Sequence, residues 1–108
     1  MSGGKAVFIE ISASWCVACR EMHPVTMKLY EIFKSKAFFV RIMLSKSTEE
    51  AETPTFPVME IQSSPESLSI QSSQILPRII IIDRSGELAA DISGQYPVLY
   101  YYGILSEL

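Results

Sequence analysis

The sequence predicts an α/β fold in a single domain, and its composition and the order of its elements both favour this class. Hydrophobic residues make up 48% and charged residues 19% of the 108 residues, a balance typical of a globular chain with one small core. Strand-like and helical segments follow each other in the order β-α-β and then β-β-α. The formal net charge of -3 argues against a nucleic-acid partner, because phosphate binding requires a basic surface. No apolar run approaches the roughly 20 residues of a membrane-spanning helix.

The first half of the chain predicts a β-α-β unit. Residues 6–11 are apolar on both faces except at Glu10, as in a strand that is covered on both sides. From residue 17 to about residue 35, apolar side chains recur every three or four residues, which predicts a helix, and Pro24 should kink it. Residues 38–44 predict a second strand. A helix of this length between two strands implies a right-handed crossover and parallel pairing.

Residues 45–74 differ in composition, because they are rich in Ser, Thr, Glu and Pro. We expect an irregular excursion here, with an insertion over residues 46–63. The segment Ser64-Pro65-Glu66 then predicts the start of a short helix that runs to about residue 72, since it supplies a capping Ser, a Pro at the first helical position and an acid in the first turn.

The last third of the chain predicts a hairpin and a closing helix. Residues 78–83 and 87–92 are strand-like, and the turn chemistry of Arg84-Ser85-Gly86 between them predicts an antiparallel pair. With the two earlier strands they would form a mixed four-stranded sheet. Residues 98–108 predict a helix, whose expected inner face is Val98, Tyr101, Tyr102 and Leu105. We expect residues 1–108 to be one domain, in which residues 1–4 are a linker or a cloning scar.

The two cysteines, Cys16 and Cys19, are separated by two residues. Cys16 falls where a loop becomes a helix, and there the unpaired backbone N–H groups and the helix dipole stabilise a thiolate. Cys19 lies one turn further along the same helix face, where it can attack a mixed disulfide formed at Cys16. The spacing therefore predicts a dithiol that exchanges electrons with another disulfide.

Three other interpretations of this pair remain open. Two buried, inert cysteines would be a packing feature. Cys16, Cys19 and His23 could instead present three soft ligands to a metal ion, as in a metallochaperone-like domain, although a closed zinc site needs four ligands. A non-enzymatic interaction module could also keep the fold and use the insertion as its binding surface. We favour the redox interpretation, because a Cys-x-x-Cys pair near a β-α-β pattern is typical of it.

The segment Trp15-Cys16-Val17-Ala18-Cys19, which follows a strand and opens a helix, resembles the active site of the thioredoxin-fold oxidoreductases. Its Val-Ala pair is most similar to the C-terminal thioredoxin-like domain of bacterial thiol:disulfide interchange reductases. The resemblance covers nearly the whole chain from Lys5, but the first strand and helix of full thioredoxin are absent. It implies a thioredoxin-like fold and a thiol:disulfide oxidoreductase in which Cys16 attacks and Cys19 resolves, with no organic cofactor and no metal.

Other positions fit the same family. Glu10, six residues before Cys16, matches the family's buried acid, and Arg41 falls where thioredoxin has a strand lysine that pairs with that acid. Pro77 matches the cis-proline that faces the active site. If that bond is cis, the backbone of Leu76 would be exposed beside Cys16, and a substrate strand could pair with it; the alternative is a plain proline at the start of a strand.

Glu10 is an acid within an apolar strand. Burial without a partner disfavours the charged form of a carboxyl group, and such a group can accept a proton from Cys19 when that thiol must attack. The alternative is a carboxylate at a sheet edge in water. Arg41 would hold Glu10 charged part of the time, or would extend its tip into solvent.

Three more residues are candidates for modulating the site. Trp15 is expected to shield the site and pack on substrate, or to serve only in packing. His23 would change the local field near the thiols as it titrates, or would be an exposed helical histidine. Val17 and Ala18 place no positive charge between the cysteines. We therefore expect a reduction potential nearer thioredoxin's value of about -270 mV than the oxidant end near about -120 mV, which favours a reductase over an oxidase or isomerase.

The resemblance also implies a setting. We expect protein disulfide substrates, an upstream thiol reductant, and electrons delivered by a membrane partner. A periplasmic bacterial location would suit an excised or mature domain, and a cytoplasmic location is the alternative. We expect a monomer.

Overall fold

The computed structural model describes residues 4–13, 15–44, 60–63 and 75–108. Within these ranges lie five strands and two helices. They are β1 (Ala6–Ala13), α1 (Val17–Phe33), β2 (Ala37–Leu44), β3 (Glu60–Ser63), β4 (Arg78–Ile82), β5 (Leu88–Ser93) and α2 (Val98–Ser106).

The strands form one mixed sheet in the order β3-β2-β1-β4-β5. β1 pairs in parallel with β2, as the predicted crossover requires. β1 also pairs with β4 in the antiparallel direction, and β4 and β5 form the predicted antiparallel hairpin. The β-α-β and β-β-α order around a central mixed sheet is therefore as predicted.

β3 was not anticipated. It extends the sheet at one edge by pairing in parallel with β2, and it lies at the end of the insertion that we expected to be irregular. Its four residues, Glu-Ile-Gln-Ser, carry no run of β-branched or aromatic residues, and a short edge strand of this kind depends on backbone pairing with its neighbour rather than on its own propensity. Residues 46–59 of the insertion and the helix predicted over 64–72 lie outside the described residues.

The larger hydrophobic core joins one face of the sheet to both helices. Alternate residues of the strands supply one side of it and the buried stripes of α1 and α2 supply the other. The rings of Phe8 and Phe39 stack at 4.8 Å between centroids, and Tyr101 from α2 meets Phe8 edge-on at 6.3 Å. Because Glu10 and Ser12 follow Phe8 at two-residue steps along β1, they fall on this same helix-covered face.

Two details of the helices differ from expectation. α2 buries Tyr101 and Leu105, which are four residues apart on one face, whereas Tyr102 is exposed because it is one helical step away from that face. α1 ends at Phe33 rather than near residue 35, although Pro24 lies within it, as predicted. Neither helix in the described part of the chain is long and apolar enough to cross a membrane.

Candidate active site

Cys16 and Cys19 lie at the start of α1 and are joined by a disulfide bond, with their Cα atoms 5.3 Å apart. Cys16 is the N-cap of the helix and has an extended backbone. Its Sγ accepts a hydrogen bond from the backbone N–H of Cys19 at 3.1 Å. The sulfur therefore occupies the place where unpaired helix N–H groups stabilise a negative charge once the disulfide is reduced.

The two sulfurs differ in accessibility. Cys16 is partly exposed, and its neighbour Val17 is 62% exposed, whereas Cys19 is only 4% exposed. An external disulfide can reach the sulfur of Cys16 from solvent. The sulfur of Cys19 is shielded from external disulfides and can react with the neighbouring sulfur of Cys16. This asymmetry matches an attacking and a resolving thiol.

The segment before β4 lies against the same sulfur. Cys16 Sγ is 3.7 Å from the carbonyl oxygen of Leu76, and the Leu76–Pro77 peptide bond is cis. The carbonyl of Pro77 accepts a 2.9 Å hydrogen bond from the N–H of Gly94. Leu76, Trp15 and Cys16 pack together on a second core cluster, whose buried members are Ile11, Ala13 and Leu44. The structure thus brings Trp15 and Leu76 to Cys16.

Glu10 is fully buried on β1. Its carboxylate accepts hydrogen bonds from the hydroxyls of Ser12 and Thr26, the latter at 2.7 Å. Arg41 Nε lies 3.5 Å from Glu10 Oε2, because the β1–β2 register places Arg41 directly beside Glu10. The resemblance predicted Arg41 as a partner of Glu10, whereas the two hydroxyl partners were not predicted. Two hydroxyl donors and one guanidinium therefore surround this buried carboxyl group, as a buried polar group requires.

Sequence reasoning missed Ser12 and Thr26. The predicted strand ends at residue 11, but Ser12 belongs to β1 and is buried. Thr26 is a buried polar residue in the apolar stripe of α1, between Met22 and Leu29. A lone hydroxyl in an apolar stripe was the available signal, since a buried hydroxyl requires a hydrogen-bond partner.

Arg41 also reaches His23 on α1. Its Nη2 lies 2.8 Å from His23 Nδ1, and because arginine has no acceptor, Arg41 donates and the histidine nitrogen accepts. Burial lowers the pKa of His23, and the charge of Arg41 lowers it further, against an opposing effect of Glu10. His23 is partly exposed rather than fully exposed.

A pocket of about 220 Å³ opens beside the buried cysteine. Residues in the C-terminal halves of β1 and β2 form one wall of the pocket, and residues in the first two turns of α1 form the other. Its described lining residues are Ser12, Ala13, Cys19, Arg20, His23, Arg41 and Met43. Cys19 and Ser12 therefore line the same pocket.

The alternative metal site finds no support in this arrangement. No group of three or more His, Cys, Asp or Glu side chains converges within the described ranges. His23 Nδ1 instead faces the guanidinium of Arg41, and a fixed cation beside a candidate ligand opposes the binding of a second cation.

Comparisons with known proteins agree with this geometry. A sequence model of the thioredoxin-like domain matches residues 1–107. The thioredoxin-like protein HCF164 of Arabidopsis thaliana is 28% identical over 100 residues, which cover 93% of this chain and 33% of the relative. The thiol-disulfide oxidoreductase ResA of Geobacillus kaustophilus is 27% identical over 99 residues, which cover 84% of this chain and 56% of the relative. The chain thus spans between a third and about half of the length of these relatives.

Solved structures show the same fold. The exposed lipoprotein thioredoxin Etrx1 of Streptococcus pneumoniae superposes with a TM-score of 0.74 at 19% identity, covering 97% of this chain and 86% of that one. A putative thiol:disulfide interchange protein DsbE of Chlorobium tepidum gives 0.72 at 19% identity, covering 94% and 81%. The predicted thioredoxin-like fold is confirmed, and the names of the relatives agree with the predicted class of enzyme.

Proposed function

The chain belongs to the thioredoxin-like domain family, and we propose that it is a protein disulfide reductase that works by dithiol–disulfide exchange at Cys16 and Cys19. The observation that carries this proposal is the disulfide at the start of α1, in which one sulfur is accessible and the other is buried. The ResA relative, whose name describes a thiol-disulfide oxidoreductase, supports the reaction class.

In the proposed reaction, the thiolate of Cys16 attacks one sulfur of a substrate disulfide. A Cys16–substrate disulfide forms, and the other substrate sulfur leaves as a thiolate. Cys19 then loses its proton and attacks Cys16 Sγ, so that the Cys16–Cys19 disulfide forms and the second substrate sulfur leaves. The substrate gains two electrons, and an upstream dithiol reductant returns two electrons to the protein.

Substrate binding is assigned to Trp15, Leu76 and Pro77. Because Cys16 Sγ lies 3.7 Å from the Leu76 carbonyl oxygen, an extended substrate strand that paired with the backbone of Leu76 would bring its own sulfur to Cys16. The indole of Trp15, packed on the same cluster, would cover one side of that strand and limit the entry of water.

Glu10 is assigned as the acceptor of the Cys19 proton, and Arg41 and His23 as residues that modulate it. Glu10 is buried on the face of β1 that α1 covers, while Arg41 contacts both Glu10 and His23. A positioned carboxylate that accepts a proton during attack typically accelerates such a step by about 100-fold or more.

We further propose that the domain works outside the cytoplasm of a bacterium as a monomer, with a membrane electron-transfer protein as its upstream thiol reductant. The structural neighbour Etrx1, which is named an exposed lipoprotein, supports that setting. Recovery of the native protein in the periplasmic or cell-surface fraction is expected, whereas recovery in the cytoplasm would contradict the proposal.

The direction of electron flow is tested by the reduction potential of the Cys16–Cys19 pair, measured by equilibration against glutathione and dithiothreitol buffers. Val17 and Ala18 place no positive charge between the sulfurs, so we expect a value at or below about -230 mV. A value above about -180 mV would contradict a reductase and indicate an oxidase or isomerase.

The chemistry itself is tested by the reduction of insulin with dithiothreitol. Wild-type protein should accelerate it, and Cys16→Ser should abolish the acceleration. Cys19→Ser is the matched control, because it keeps the attacking thiolate and should accumulate a Cys16–substrate mixed disulfide. Inactivity of the wild-type protein would contradict the enzyme and favour an interaction module.

A further inference from the structure

Ser12 connects the buried acid to the pocket beside Cys19. Its hydroxyl donates to Glu10 Oε2, and Ser12 is also among the residues that line the pocket beside Cys19. Thr26 donates to the other carboxylate oxygen, Oε1. The described lining of the pocket includes neither Glu10 nor Thr26. The two hydroxyls therefore hold the same carboxylate, but of the two residues only Ser12 is in the described lining of the pocket that Cys19 also lines.

This placement bears on how Cys19 loses its proton. Glu10 is fully buried and Cys19 is 4% exposed, so a proton that travels between them must cross either the pocket or the core. A serine hydroxyl accepts one hydrogen bond while it donates another, so it can pass a proton along. A pocket of about 220 Å³ has room for ordered water, since one water takes about 30 Å³ in the liquid.

The other polar groups that line the pocket or interact with Glu10 are less suited to this role. Arg20 and Arg41 line it, but a guanidinium carries no acceptor. His23 also lines it, and its Nδ1 already accepts from Arg41. From α2, Tyr101 is the ionisable group whose phenol interacts electrostatically with Glu10, and burial raises the pKa of Tyr101 to about 12. Tyr101 therefore keeps its own proton in the physiological range.

We propose that Ser12 relays the proton of Cys19 to Glu10 during the resolving step. The proposal rests on the dithiol chemistry proposed above. The Cys19 thiol gives its proton, through water in the pocket, to Ser12 Oγ, as the Ser12 hydroxyl gives its own proton to Glu10 Oε2. The Cys19 thiolate then attacks Cys16 Sγ, the Cys16–substrate bond breaks, and the substrate sulfur leaves as a thiolate.

When a reductant later opens the Cys16–Cys19 disulfide, the proton returns from Glu10 to Cys19 by the same route. Ser12 is unchanged at the end and acts as a positioning residue.

The resolving step can be observed separately from the first attack. When reduced protein is mixed with excess dithiobis-nitrobenzoate, the attack of Cys16 releases one chromophore in a phase that depends on reagent concentration. The attack of Cys19 releases the second chromophore in a phase that does not. We expect Ser12→Ala to slow the second phase by about 10- to 100-fold and to leave the first phase unchanged.

Thr26→Val is the matched control, because it removes the other hydroxyl from the same carboxylate but none from the pocket. It should slow the second phase by less than about 3-fold, which is well below the loss expected of a missing general base. Ser12→Thr should restore the rate, and Ser12→Gly provides a second truncation if the alanine variant is poorly folded. The second phase in the wild type should also show a solvent deuterium isotope effect that Ser12→Ala diminishes.

Equal slowing by Ser12→Ala and Thr26→Val would overturn the relay, since both would then act only by holding Glu10. Slowing by His23→Gln as large as that by Ser12→Ala would also overturn it, because the proton would then pass through the imidazole. Absence of both phases in the wild-type protein would be a different result from failure of the relay. It would contradict the proposed dithiol chemistry itself.

Discussion

Arg41 Nη2 lies 2.8 Å from His23 Nδ1, and the same guanidinium places its Nε 3.5 Å from Glu10 Oε2. One cation thus joins a partly exposed histidine on α1 to a fully buried carboxylate on β1. Arg41 is only 4% exposed, so water screens these interactions much less than those at the surface. The charge of Glu10 and the protonation of His23 are therefore coupled through a single side chain.

The first prediction concerns the contribution of the buried pair to stability. Arg41→Met leaves the Glu10 carboxylate buried without its cation, and we expect a loss of about 3–5 kcal/mol in the free energy of unfolding. Arg78→Met is the matched control. It breaks the bidentate pair of Arg78 with Asp91, which is about one third exposed, and should cost about 1 kcal/mol or less. Urea denaturation measures the free energy of unfolding of both variants. Equal losses in the two variants would contradict a larger contribution of the buried pair to stability.

The second prediction concerns pH. Burial and the charge of Arg41 lower the pKa of His23, with Glu10 acting against them. Above the ordinary value of 6.5, the histidine is neutral in both folded and unfolded chains and contributes no pH dependence. As the pH falls below 6.5 toward the lowered folded value, the unfolded chain takes up the proton first, so the free energy of unfolding decreases. Below the folded value this contribution levels off.

His23→Gln tests this sign, because glutamine can still accept from Arg41 but does not titrate. Between about pH 8 and about pH 5, the wild-type protein should lose more stability than the variant does. Denaturation curves at both pH values measure the difference. An identical pH dependence in the two proteins would show that His23 does not titrate differently in the folded state.

The redox pair was predictable because its geometry is local. Cys16 and Cys19 are three positions apart, and the start of a helix places both sulfurs without help from distant residues. The surroundings of Glu10 were not predictable in this way. The contact with Thr26 depends on how α1 packs on β1, and the pairing with Arg41 depends on a parallel register across 31 positions. The resemblance to thioredoxin supplied the Arg41 pairing, whereas Ser12 and Thr26 required the structure.

The edge strand β3 illustrates the same limit. Residues 60–63 pair with β2 from Arg41 to Leu44, so β2 supplies most of what makes them a strand. A segment that has little propensity of its own becomes a strand because a partner with free hydrogen-bonding groups lies beside it. Its composition, with Ile61 as its one β-branched residue, does not predict a strand.

The third prediction concerns the glycine that anchors the segment before β4. Gly94 has a φ of +101°, and its N–H donates to the carbonyl of Pro77. A Cβ at Gly94 would meet only ordinary contacts, so the cost of Gly94→Ala comes from the backbone and should be about 1–2 kcal/mol. Gly103→Ala is the control. It lies within α2, where a Cβ meets nothing, and should instead stabilise the protein by about 1 kcal/mol. Thermal denaturation should thus shift in opposite directions, and a shift of the same sign would contradict this account.

The last prediction concerns the electrostatics of the sulfur at the start of α1. Val17 is 62% exposed and directly follows Cys16, so the site accepts a polar side chain without disturbing the core. Val17→His would place a titratable cation beside the Cys16 thiolate and stabilise the reduced form. Each 1.4 kcal/mol of that stabilisation raises the two-electron reduction potential by about 30 mV.

Val17→Gln is the matched control, since it adds a polar group of similar size without the charge. We expect the potential of the histidine variant to rise relative to that of the glutamine variant, and the difference to grow as the pH falls through about 6.5, where an imidazole becomes charged. Equilibration against glutathione at several pH values measures both potentials. A histidine variant that follows the glutamine variant at every pH would mean that charge between the cysteines does not set the potential of this pair.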